Sequence, residues 1–153
     1  MDREVILLIG SNIQPRENIA RVLAMLKDKF DIVGQSSIWE TDPVESRGDS
    51  YLNLAIAIRT HLQNDLLRQS LRDLETALGR QRVSDKYAPR TMDLDIILDD
   101  GQVMDDKLWQ YSFVAVPVSQ LASELIEPSS GKELSVIAKE LENKSRIVEL
   151  PSL

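Results

Sequence analysis

Between Gly79 and Leu98 the chain reads GRQRVSDKYAPRTMDLDIIL, and two kinds of residue in it can do chemistry. Arg80, Arg82, Lys86 and Arg90 place four cations within eleven residues, against the single acid Asp85. Asp93 and Asp95 follow, two positions apart in an apolar run of Met92, Leu94, Ile96, Ile97 and Leu98 that predicts a strand. Strand side chains alternate faces, so both carboxylates are expected on one side of a sheet. Paired carboxylates grip a hard divalent cation and neighbouring cations take up phosphate charge, which is equipment for a metal-bound polyphosphate. A basic loop and an Asp on a solvent face are also ordinary surface features, and chemistry alone leaves the two readings evenly balanced. What sets this pair apart is its place inside an otherwise buried-looking strand, where unpartnered charge is costly.

The surrounding chain has to position those groups. At 153 residues, 42% hydrophobic and 28% charged, it has the composition of a globular protein and the length of one domain with a proper core. A net charge of −7 argues against general nucleic-acid binding and makes the basic cluster a local anomaly that suggests one small anionic ligand. No apolar run approaches the roughly 20 residues of a membrane span. The start, Met1-Asp2-Arg3-Glu4, lacks the form of a signal peptide. With no cysteine in the chain, disulfides, thiolate metal sites and cysteine nucleophiles are excluded. A cytoplasmic monomer with small-molecule partners, neither nucleic acid nor membrane, is the expectation.

Residues 4–9 form an apolar run ending at Gly10 and predict a buried strand. Ser11 or Asn12 is expected to cap a helix over 15–28, with Pro15 in its first turn and Ile19, Val22, Leu23 and Leu26 on its inner face. A second strand is expected over 31–39, then a polar loop over 40–50. A third strand follows over 51–58, with Leu52, Leu54, Ile56 and Ile58 on one face and Tyr51, Asn53 and the alanines on the other. A second helix should open at Asn64 or Asp65 and stop at Gly79. Asp99-Asp100-Gly101 reads as a hairpin turn into Val103-Met104. Farther on, 114–118 reads as a short strand interrupted by Pro117, 119–125 as a short helix, 135–141 as a helix and 147–150 as a last strand. The leading order, strand–helix–strand–strand–helix–strand, is the split βαβ arrangement: an α+β, ferredoxin-like sandwich with helices packed on an antiparallel sheet.

Three strings in register, Leu8-Ile9-Gly10-Ser11-Asn12, Tyr51-Leu52-Asn53, and Gly79-Arg80 through Pro89-Arg90-Thr91-Met92-Asp93-Leu94-Asp95-Ile96, resemble the 6-hydroxymethyl-7,8-dihydropterin pyrophosphokinase family. The likeness covers residues 5–98 and extends more loosely beyond. It implies a single pyrophosphokinase-like domain over 1–153 that transfers pyrophosphate from MgATP to a reduced pterin and releases AMP, in folate synthesis. By resemblance, Asp93 and Asp95 hold two Mg2+ ions that bridge ATP phosphates. Arg80 and Arg90 engage the phosphates, with Arg82, Lys86 and Ile96 also on the ATP side. The pterin side would be Thr41, Pro43, Tyr51, Asn53, Tyr87 and Phe113, with the 40–50 and 80–90 loops closing over substrate. Core packing is an equal reading of Tyr51 and Phe113, and a plain surface position is the favoured reading of Glu75, which has a family counterpart near the nucleotide.

The resemblance also breaks. Leu108-Trp109 runs almost directly into Gln110-Tyr111-Ser112-Phe113, with no Pro-His-Pro-like segment and with Tyr111 at the expected arginine. The one histidine, His61, reads as a surface residue, and Glu45 stands near the place of a family glycine. These departures predict weakened ATP affinity, since a charge-assisted phosphate contact is lost. Three readings stay open: an active pyrophosphokinase with a trimmed nucleotide site, a relative using another pterin-like acceptor or donor, and a non-catalytic pterin- or metal-binding module.

Overall fold

A computed structural model describes residues 2–42, 50–79 and 92–151. Its centre is the strand β1 (Arg3–Ser11), paired antiparallel on one side with β4 (Tyr51–Thr60) and on the other with β5 (Asp93–Asp99). β1 and β4 carry long apolar runs, as central strands covered on both faces require. The helix α1 (Pro15–Lys29) follows β1, and β2 (Asp31–Gln35) and β3 (Ile38–Thr41) both pair with β4. After α2 (Asn64–Ala77) and β5 come β6 (Gln102–Val103), a 3₁₀ turn at Asp106–Trp109, α3 (Ser112–Ser119), α4 (Leu134–Glu142) and β7 (Ile147–Leu150). The sheet runs β6-β5-β1-β4-β3-β7, with β2 also on β4. β5, β1, β4 and the β2/β3 pair are the four strands of a ferredoxin-like sheet in their usual order, every pairing antiparallel.

The sheet separates two apolar layers. Val5, Leu7 and Ile9 of β1, with Leu52, Leu54, Ile56 and Ile58 of β4, face α1 and α2. Ile6 and Leu8, with Ala55 and Ala57, face α3, α4 and the 3₁₀ turn. The alanines make room: helices approach a sheet closely where its side chains are small. At the end of β5, Asp100 (φ 53°) and Gly101 (φ 82°) occupy the left-handed region in succession, the requirement of the tight hairpin turn expected there. Arg3 holds this end of the sheet, its Nε donating to Asp99 Oδ1 (2.5 Å) and its Nη1 to the Leu62 carbonyl (2.6 Å).

Four expectations change. The strand expected over 31–39 is two strands, broken at Ser36-Ser37. There Ser36 Oγ accepts from the Ala55 N–H (2.8 Å) and donates to the Ser37 carbonyl (2.8 Å), a side chain standing in the backbone ladder. The expected strand at 114–118 is the middle of α3. Val114 through Val118 are all buried there, so packing on the sheet outweighs the strand preference of valine. The expected helix at 119–125 is a series of turns. Finally, the cap of α1 falls on Gln14 (φ 40°) rather than on Ser11 or Asn12, with Pro15 at the first helical position.

Leu54 is fully buried in the centre of the sheet. Leu54→Ala should cost about 2–5 kcal/mol of unfolding free energy, read as a lower urea midpoint with an unchanged slope.

Candidate active site

The register of the central strands lines up four residues. Trp39 pairs with Asn53, Asn53 with Gly10, and Gly10 with Asp93. Directly paired residues share a face, so this row crosses β3, β4, β1 and β5 on the side covered by α3. The next row on that face towards the sheet interior runs Ala55, Leu8, Asp95. Asp93 and Asp95 therefore point the same way, and Leu94 and Ile96 between and beside them turn into the opposite layer. Gly10 is what lets the row close up: a Cβ there would lie 2.9 Å from Asn53 Oδ1.

Asn53 is buried, and its Nδ2 donates to Thr41 Oγ1 at 2.9 Å. That bond fixes the side-chain amide, and Thr41 itself pairs with Tyr51. Phe113 opens α3, half-buried against the same layer, and its ring lies 5.4 Å from that of Tyr111. Thr41, Tyr51, Asn53 and Phe113 thus belong to one wall of apolar and polar groups beside Asp93.

The carboxylates sit in a field of their own sign. Crowding by protein pushes the Asp95 carboxyl up to about 7, and Asp93, Glu75 and Asp105 add to the shift, while Lys107 in the 3₁₀ turn opposes it. The residue stays open to solvent on its outer side, so the crowding comes from its flanks. Glu75 is the residue sequence reasoning misplaced: it is 3% exposed, not on the helix surface, and its Oε2 accepts from the Leu94 N–H at 2.8 Å. The signal was there, because Glu75 stands four residues after Leu71 and three before Leu78, on the apolar stripe of α2. Lys107 had no such signal, because only the fold brings it to Asp95. Arg68, Leu71, Arg72 and Glu75 of α2 and Leu94, Asp95 and Ile96 of β5 line a cleft of about 200 Å³.

Arg80, Arg82, Lys86, Tyr87, Arg90 and Pro43, and the two loops expected to close, lie outside the described residues. His61 is exposed, as expected, with Nδ1 3.8 Å from Asp2. Among the described residues no three His, Asp or Glu side chains form a protein-only metal cage, and no helix is long and apolar enough to cross a membrane. Two carboxylates on one face still fit Mg2+, which usually keeps waters and binds through one or two carboxylates plus phosphate oxygens.

The described residues thus form a ferredoxin-like sheet that carries an acid pair and a polar, aromatic-edged wall on one face. Residues 6–123 match the family model for 7,8-dihydro-6-hydroxymethylpterin-pyrophosphokinase, and the chain belongs to that family. It is 29% identical over 145 residues to the 2-amino-4-hydroxy-6-hydroxymethyldihydropteridine pyrophosphokinase of Bacillus subtilis, covering 87% of this chain and 86% of that protein. It is 32% identical over 129 residues to the folate synthesis bifunctional protein of Arabidopsis thaliana, covering 77% of this chain but 27% of that longer protein. A crystal structure of the Plasmodium falciparum HPPK-DHPS with pteroate shares the fold, with a TM-score of 0.69 at 9% identity over 94% of this chain and 44% of that one.

The Asp95 shift sets a pH dependence of stability. Its folded-state value, about 7, lies above the ordinary 3.8, so within that window the folded protein holds a proton that the unfolded chain has released. Stability contributed by this group therefore falls as pH rises through the window. In metal-free buffer, Asp95→Asn should melt with the parent at about pH 4 and above it at about pH 8, by a margin that solvent screening of this exposed residue keeps small. An equal difference at both ends would rule out the charge explanation.

Proposed function

We propose that the chain transfers pyrophosphate from MgATP to the hydroxymethyl group of 6-hydroxymethyl-7,8-dihydropterin, with AMP as the second product, in folate biosynthesis. One observation carries the mechanism: Asn53 and Asp93 lie in a single row across the sheet, two positions apart through Gly10. A flat heterocycle held by its polar edge at Thr41 and Asn53, and by its face at Phe113 and Tyr51, would carry its hydroxymethyl arm towards the acid pair. Tyr87 and Pro43 complete this side in our reading.

Asp93 and Asp95 would hold Mg2+, two ions in this reading. Bound there, Mg2+ neutralises phosphate charge and polarises the phosphorus under attack. The hydroxyl oxygen of the acceptor forms a bond to the β-phosphorus, the bond from that phosphorus to the α–β bridging oxygen breaks, and AMP leaves with that oxygen. The hydroxyl proton passes to solvent. Arg80 and Arg90 are assigned to phosphate charge in the transition state, with Arg82 and Lys86 beside them. Lys107, already within the field of Asp95, is assigned the same work in place of the missing family arginine. The cleft between α2 and β5 suits the nucleoside. Among the described residues β6 pairs only with Leu98 and Asp99, which leaves the main chain at Ile96 facing that cleft. Little covalent chemistry is asked of the protein, so positioning and charge compensation supply the acceleration.

A monomer acting as one domain in the cytoplasm is part of this reading. Tyr111, packed on Phe113 where the family carries an arginine, favours weakened ATP affinity and keeps a related pterin acceptor as a second reading.

The test is AMP formation from Mg2+, ATP and hydroxymethyl-dihydropterin. The parent protein should release AMP, and Asp95→Ala should lower kcat by at least about a hundredfold while pterin affinity changes little. Binding of the pterin without AMP formation would leave the non-catalytic module standing, and an active Asp95→Ala would remove the metal assignment.

A further inference from the structure

We propose that Gln120 is a positioning residue for the acceptor pocket. Its side-chain amide ties the end of α3 to the break between β2 and β3, and so sets the distance between Phe113 and the Thr41–Asn53 wall. The inference rests on the functional reading above. Gln120 follows the last residue of α3 and is exposed. Its amide is nonetheless committed: Oε1 accepts from the Ser37 N–H (2.9 Å) and from Trp39 Nε1 (3.1 Å), and Nε2 donates to Ser37 Oγ (3.3 Å). An amide oxygen has two lone pairs, so both of its acceptor positions are used.

Each partner bears on the pocket. Trp39 is the cross-strand neighbour of Asn53 and the first residue of the row that ends at Asp93. Its indole is 8% exposed, and a buried indole N–H needs an acceptor, which Gln120 provides. Ser37 lies in the strand break from which β3 sets out towards Thr41. On the helix side, α3 is buried nearly all round through Val114 to Val118. Apolar burial is non-directional and selects a register less sharply than hydrogen bonds do. Three hydrogen bonds fix the Gln120 end, and the Ser112–Ser145 hydroxyl pair (2.7 Å) holds the other. Phe113 lies about 10 Å along the helix from Gln120, so a shift at the clamped end is passed to its ring.

The proposal separates acceptor affinity from nucleotide affinity, since among the described residues the clamp bonds only Ser37 and Trp39, at the far end of the row from β5, and makes no hydrogen bond to α2. In steady-state assays of the full chain, Gln120→Ala should raise KM for hydroxymethyl-dihydropterin about 5- to 10-fold, the loss expected for one or two hydrogen bonds, with KM for ATP within about twofold. Gln120→Glu keeps both acceptor positions and should restore the pterin KM to within about twofold of the parent. Trp39→Phe removes the indole donor along with some buried ring volume and should give the same split at a smaller size, which keeps the test decisive if Gln120→Ala folds poorly. A pterin KM unchanged in folded Gln120→Ala, or the two KM values rising together, would overturn the positioning role while leaving the functional reading intact. A parent protein that makes no AMP from this acceptor would overturn both.

Discussion

The site depends on a missing side chain. Gly10 stands in the centre of the sheet between Asn53 and Asp93, and a methyl group there would collide with the Asn53 carboxamide at 2.9 Å. The Asn53 amide uses that space, and Thr41 on β3 accepts from its Nδ2. In the proposed reading the glycine keeps the way clear for a flat polar ligand between Asn53 and Asp93, which a larger side chain on the central strand would block.

The second constraint is electrostatic. Among the described residues, Asp93, Glu75 and Asp105 push the Asp95 carboxyl up and Lys107 opposes them. Glu75 has a use in the bare fold as well: it accepts the Leu94 N–H and so anchors α2 to β5 between the two aspartates. One carboxylate therefore contributes both to the architecture and to the potential in which a metal would sit.

Sequence periodicity made the core of this fold legible. The alternation of Leu52 to Ile58 gave β4 its two faces, the two aspartates gave β5 its outward side, and Asp100-Gly101 gave the hairpin its turn. Where the pattern was silent, tertiary packing had decided. Val114 to Val118 carry no helical period because every side of that helix is covered, so valine's strand preference was the only signal left to read. The break at Ser36 turns on a serine hydroxyl entering a backbone ladder, which no period encodes. Thr41, Asn53 and Phe113 came from motif likeness, and the fold brings them to one face. Lys107 and Gln120 were invisible for a common reason: each acts through partners that only the fold makes neighbours.

The broken strand also divides the sheet dynamically. β4 and β5 flank β1 as longer, mostly buried strands, whereas β3 and β7 are two four-residue strands paired with each other at the margin. Backbone amides in the centre should exchange with solvent only through global unfolding, and those of the β3–β7 wing through cheaper local opening. Thr41 belongs to that wing while Asn53, which it braces, belongs to the rigid centre. Ligand-binding surfaces are commonly assembled across such a boundary, with one partner fixed and the other able to breathe, so a bound ring would slow exchange in the wing far more than in the centre.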